Sequence, residues 1–139
     1  MNLTKSVVYE ALRIEPSVLN YFGTAKEDLV KKGDMLFGYQ PFSTKDPKIF
    51  EDPKEFKGSI FVGKADEELP KYVYWSNGHE TVNPTAINKQ CPAKDFIVLL
   101  ARVMLVDFFL RYDTFTADVG NLLLGASVKI KSLTPATTN

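Results

Sequence analysis

Apolar residues recur at helical spacing from the start of the chain. Leu3, Val7, Tyr9 and Ile14 predict a helix over residues 2–14, and Pro16 ends it, because the residue before a proline is pushed out of the α region. Residues 17–33 follow no single period, and Gly23 and Gly33 are the expected turn points. Residues 34–39, with Met35, Leu36 and Phe37, form a short apolar run that fits a buried strand. Between Pro41 and Pro70, Pro47, Pro53, Gly58 and Gly63 break the pattern at short intervals. Only brief helical turns and irregular chain fit there, within a meander over 41–74. Asp46 before Pro47 is suited to capping one such turn. A polar loop follows within 75–95, long for a structureless connection, and loops of that kind are usually functional. Next comes the strongest element, a helix over 96–112. Between Phe96 and Leu110 only Arg102 and Asp107 are not apolar. A helix apolar on every face belongs inside a large core, and the remaining elements are too few to surround it. Asp107 and Arg111 are spaced to pair along its surface. A hairpin over 115–133 turns around Gly120 to Gly125 and closes the pattern.

Composition narrows the class without naming a function. The chain has 139 residues, 45% hydrophobic and 24% charged, which fits one globular domain of mixed α+β type, mainly α. Seventeen basic residues balance seventeen acidic ones, which argues against a nucleic-acid binder. One cysteine excludes an intrachain disulfide. One histidine, His79, excludes a histidine-based metal cluster or triad. Nothing reads as a targeting or transmembrane segment: the apolar helix would span about 22 Å at ~1.5 Å per residue, short of the ~30 Å hydrocarbon core.

One stretch carries chemistry. Asn88-Lys89-Gln90-Cys91-Pro92-Ala93-Lys94-Asp95 runs directly into the apolar helix. A cysteine at a helix start meets unpaired backbone N–H groups and the positive end of the dipole, a setting that favours a thiolate. Such a group can be a nucleophile or a metal ligand. Spacing alone favours the ordinary role of a lone cysteine as a small buried hydrophobe.

These residues resemble the haem-ligand loop of the plant hydroperoxide-metabolising cytochromes P450, the branch containing allene oxide synthase, fatty acid hydroperoxide lyase and divinyl ether synthase. Trp75-Ser76-Asn77-Gly78 resembles the superfamily's aromatic-x-x-Gly start. Gly78 lies thirteen positions before Cys91, whereas ordinary members place that glycine only a few before the cysteine. The long insert marks this branch. Ser6 to Arg13 resembles the family's Glu-x-x-Arg helix, with Glu10 and Arg13 as the pair. Phe37 to Pro41, Thr44 to Phe50, Leu110 to Phe115 and Leu124 to Val128 are similar to the family's flanking segments, the hairpin most of all to that of allene oxide synthase. The resemblance covers essentially the whole chain, but only the C-terminal, proximal-haem part of such an enzyme. Three departures stand out: about a dozen family residues are missing between Val30 and Lys31, Ile60 replaces an arginine that joins Glu10 and Arg13, and Ala93 replaces a frequent glycine.

The resemblance implies haem b with Cys91 as the axial thiolate and metal ligand, Lys89 facing a haem propionate, and Asn88 capping the loop. Lys94 is expected on the helix surface, and His79 exposed in the loop. Glu10 and Arg13 are implied to be a structural pair, and Val18, Leu19, Leu123 and Leu124 to line the substrate space. Distal catalytic residues are not encoded in this chain. The implied activity is that of a hydroperoxide dehydratase, converting fatty acid hydroperoxides to allene oxides with no O2, NADPH or redox partner, since thiolate ligation favours O–O cleavage. Hydroperoxide lyase or divinyl ether synthase chemistry remains an alternative, as does a truncated, non-catalytic haem-binding remnant. The family implies a plastid or cytoplasmic location and leaves membrane association of a full-length protein open.

Overall fold

A computed structural model describes residues 1–16, 20–24, 30–63, 65–76, 78–86, 88–122 and 125–137. Where its length predicts one domain, the chain forms two compact units, Met1–Leu99 and Leu100–Asn139. The α+β character holds in both. In chain order the elements are α1 (Leu3–Ile14), β1 (Asn20–Thr24), β2 (Met35–Tyr39), α2 (Pro41–Thr44), α3 (Ala65–Glu68), a 3-10 turn (Leu69–Tyr72), β3 (Tyr74–Trp75), β4 (Gly78–His79), α4 (Lys94–Arg111), β5 (Tyr112–Leu122) and β6 (Gly125–Pro135). The strands pair antiparallel as β1–β2, β3–β4 and β5–β6.

In the first unit, α1 starts where the Asn2 side chain accepts from the Lys5 backbone N–H, satisfying one donor of the first turn. Its buried positions are Ser6, Val8, Tyr9, Glu10 and Arg13, so one face carries both apolar and charged groups inward. Tyr9 meets Phe61 edge-to-face at 5.9 Å. The Phe61 backbone N–H donates to Ser6 Oγ at 3.1 Å. Phe50, Phe61, Val73 and Trp75 complete the core around α1, joined by Val98 from the start of α4. The meander has the short turns its prolines dictate. Asp46 accepts from the Lys48 backbone N–H at 2.8 Å, and its carbonyl accepts from Ile49 and Phe50.

Two expectations need correction here. Gly23 is not a turn point: it lies within β1, opposite Leu36 of β2. The run 34–39 does form a strand, β2, but not a buried one, for all its residues are exposed, Phe37 to 60%. A two-stranded ribbon that no described layer covers leaves its faces open.

The second unit contains most of α4 and the β5–β6 hairpin. The hairpin strands are longer than the pattern suggested, because Tyr112 already pairs with Pro135 and Thr114 with Thr134. Thr114 Oγ1 donates to Thr134 Oγ1 at 2.8 Å, and Lys131 Nζ meets Asp118 Oδ2 at 2.6 Å. Arg111 Nε donates to both carboxylate oxygens of Asp107, at 2.8 and 2.9 Å, and this raises the guanidinium further above its ordinary range.

The helix expected as a buried one over 96–112 runs over Lys94–Arg111 and is not buried: Val98 is its one buried residue. Met104 and Leu110 are 63% and 73% exposed. The sequence specifies an interior helix, and the described residues do not cover it. Among the described residues, no helix is long and apolar enough to cross a membrane.

Candidate functional site

The site grows from the short β3–β4 ladder. Trp75 is buried on β3, and Ser76 turns the chain back with a left-handed φ of 63°. Gly78 then opens β4. A Cβ built there would lie 2.6 Å from Asn88 Oδ1 and 2.7 Å from Gln90 Cγ, so only glycine lets the loop fold back this closely. Gly78→Ala is therefore expected to destabilise the first unit by roughly 1–3 kcal/mol. A urea unfolding curve superimposable on that of the unsubstituted chain would refute this.

The loop closes on itself through side chains. The Asn88 backbone N–H donates to Thr85 Oγ1 at 2.9 Å, and Thr85 N–H returns a bond to the Asn88 carbonyl at 3.0 Å. Gln90 Nε2 donates to the His79 carbonyl at 2.8 Å and also to the Val82 carbonyl. Both carbonyls need a donor, which fixes the orientation of the amide. Gln90 Oε1 is left buried with no hydrogen-bond partner.

Cys91 follows, with a free and half-buried thiol. Its carbonyl accepts from the Lys94 N–H at 3.2 Å, closing a turn from which α4 starts at Lys94. Asn88 is half-buried and Lys89 exposed on the approach to Cys91. His79 is half-buried, with Nδ1 3.0 Å from Thr81 Oγ1 and its ring edge-on to Tyr74. It is thus less exposed than the loop position suggested.

The arrangement suits a haem. Among the described residues there is no group of three or more His, Cys, Asp or Glu side chains that could hold a metal ion. The lone Cys91 thiol is the kind of donor that an iron already held by a porphyrin would take. The thiol lies a turn before a helix whose apolar side chains stand exposed.

Glu10 and Arg13 form a fully buried ion pair. Arg13 Nε donates to Glu10 Oε2 at 2.7 Å and Nη2 to Oε1 at 2.8 Å, the bidentate geometry that suits guanidinium and carboxylate. Nη1 also donates to the carbonyls of Thr44 and Pro53, at 2.7 and 2.8 Å, and Nη2 to that of Glu55 at 3.3 Å. The guanidinium lies 4.5 Å from the centre of the Phe50 ring. Glu10 Oε1 takes a third bond, from the Lys57 backbone N–H at 2.9 Å. Asp52, bonded to the Lys57 side chain, raises that ammonium above its ordinary value. Ile60 is half-buried. Its backbone N–H donates to the Lys57 carbonyl.

Glu80 was not singled out by sequence reasoning, yet it ties the site together. Its Oε1 accepts from Tyr9 Oη of α1 at 2.7 Å. Its Oε2 accepts from Trp75 Nε1 of β3 at 2.7 Å and lies 3.6 Å from Lys94 Nζ at the start of α4. Lys94 is accordingly a mostly buried partner and not the surface lysine expected. Only an acidic residue amid a polar loop could have hinted at this, because its three partners come from distant segments. Val18, Leu19, Leu123 and Leu124, expected to line a substrate space, lie outside the described residues.

The chain is similar to several curated proteins. Allene oxide synthase 2, chloroplastic, of Solanum lycopersicum is 54% identical over 146 residues, covering 98% of this chain and 29% of that protein. Allene oxide synthase 2 of Oryza sativa subsp. japonica is 50% identical over 150 residues, covering 100% of this chain and 30% of that protein. That alignment is longer than the chain, so the rice protein carries residues this one lacks within the matched span. The chain spans less than a third of the length of these relatives. Among solved structures, cytochrome P450 CYP109E1 of Bacillus megaterium, in complex with corticosterone, is similar with a TM-score of 0.64 and 20% identity. The match covers 94% of this chain and 34% of that one, and shows the fold. No protein-family profile matches the chain.

Proposed function

We propose that this chain, half-identical along its length to allene oxide synthases and similar in fold to a cytochrome P450, is the haem-ligating part of a hydroperoxide dehydratase of that family. The whole activity is conversion of a fatty acid hydroperoxide to an allene oxide. The observation that carries this reading is the half-buried Cys91, in a chain half-identical to allene oxide synthases, on a loop closed by Gln90 and followed at once by an exposed apolar helix. Cys91 Sγ holds the iron of haem b, Lys89 offers its ammonium to a propionate, and Asn88 sets the approach of the loop over Gly78. Haem under thiolate ligation supplies the electron density that favours O–O cleavage. Because the substrate brings its own O–O bond, neither O2 nor a redox partner is needed. Glu10 and Arg13 hold α1 to the meander and so keep the proximal side in shape. A plastid location belongs to this reading, supported by a relative whose name says chloroplastic.

Haemin titration of the purified chain tests this. A thiolate-type Soret band saturating at an equimolar ratio is expected. Loss of the conjugated-diene absorbance of a 13-hydroperoxide should run no faster than with free haemin, since catalysis needs preorganised groups on both haem faces. Haem binding without a thiolate signature would overturn the ligand assignment. Enzyme-like turnover by this chain would overturn the partition of roles.

A further inference from the structure

We infer that Glu80 is a positioning residue for Cys91, acting through Lys94 on the C-terminal flank of the cysteine; this rests on Cys91 being the haem ligand. Cys91 is bracketed by groups fastened to one short segment, 79–82. On the N-terminal side, the adjacent Gln90 donates to the carbonyls of His79 and Val82. On the C-terminal side, Lys94 bonds the Cys91 carbonyl through its backbone N–H and lies beside Glu80 through its ammonium. Glu80 is in turn fixed from two further directions, by Tyr9 Oη and by Trp75 Nε1, each at 2.7 Å. Its backbone N–H donates to the Val73 carbonyl at 2.8 Å.

The side chains of Glu80 and Lys94 are only 17% and 20% exposed, so this contact is better shielded than a surface ion pair. The carboxylate has two oxygens and three partners from α1, β3 and the start of α4. Two hydrogen bonds to one charged acceptor are charge-assisted and directional. The C-terminal flank of Cys91 is thus referred to α1 and β3, elements of the core, through one side chain. A ligand atom needs such support, because small displacements of a first-contact group weaken the bond it makes.

The test uses the fact that Cys91 is the one cysteine of the chain. Its reaction with 5,5′-dithiobis(2-nitrobenzoic acid) is followed at fixed pH for the wild type, Glu80→Gln, Tyr9→Phe and the double variant, with circular dichroism reporting fold. Glu80→Gln keeps the shape but loses the charge that Lys94 and two donors share. It should react roughly tenfold faster, the factor implied by loss of about one charge-assisted hydrogen bond. Tyr9→Phe keeps the ring against Phe61 and should accelerate less. The double variant should react no faster than Glu80→Gln, because both changes release one latch. Equal rates for Glu80→Gln and wild type at preserved ellipticity would overturn the inference. So would a wild-type thiol as reactive as that of an unfolded chain. Haemin is then added: a wild type lacking a thiolate-type Soret band would sink the haem reading, while the thiol kinetics still decide the latch.

Discussion

Arg13→Met is expected to cost about 3–5 kcal/mol, the range for removing one partner of a buried ion pair. The substitution keeps the bulk of the stem but removes the guanidinium over the Phe50 ring and five donors at once. Glu10 is left buried with the Lys57 N–H as its remaining donor, and the carbonyls of Thr44 and Pro53 lose the guanidinium. Domains are stable by only about 5–15 kcal/mol, so the loss takes a large fraction of the total. Thermal unfolding by circular dichroism should show a melting temperature lower by tens of degrees, or no cooperative transition. A loss below about 1 kcal/mol, the value of an exposed pair, would show that the guanidinium does not hold the meander. Glu10→Gln should be milder than Arg13→Met. It retains an acceptor for Arg13, and the guanidinium keeps the carbonyls of Thr44, Pro53 and Glu55.

Cys91→Ser is expected to abolish the thiolate-type Soret band of the haem-loaded chain altogether. A serine hydroxyl matches the thiol in shape but is a far poorer ligand for iron, and the sequence offers no second cysteine. The sole histidine, His79, lies on the same loop and is the one side chain able to replace it with an imidazole. Cys91→Ser should therefore show either weakly held haem or a histidine-type spectrum, and adding His79→Ala should leave only the former. An unchanged band in Cys91→Ser would remove Cys91 from the site.

Much of this was legible beforehand, and the exceptions share a cause. Helical spacing marked α1, and the Glu10–Arg13 pair was visible as i,i+3 partners on one face. Their complete burial was not, because it depends on carbonyls from residues 44, 53 and 55, brought close only by the meander. Apolar content correctly located β2 and α4 but misjudged their environment: composition records what a segment is suited to, whereas burial requires something to cover it. Glu80 escaped notice for a third reason. Its donors lie in Tyr9, Trp75 and Lys94, at separations no periodicity connects. Gly23 misled because glycine punctuates most turns yet is tolerated in a strand.

α1 has a consequence for how the gene can change. Ser6, Tyr9, Glu10 and Arg13 each hold a different strut: the Phe61 backbone, Glu80, the Lys57 backbone and the carbonyls of the meander. They can do so because consecutive helical residues point about 100° apart, at 3.6 residues per turn. A single codon inserted between Ser6 and Tyr9 would rotate the last three by that angle and advance them by about 1.5 Å. Ser6 would stay engaged, while the other three would lose their partners together. Substitutions in α1 can be sampled by evolution one strut at a time, but a length change there fails in all three at one stroke.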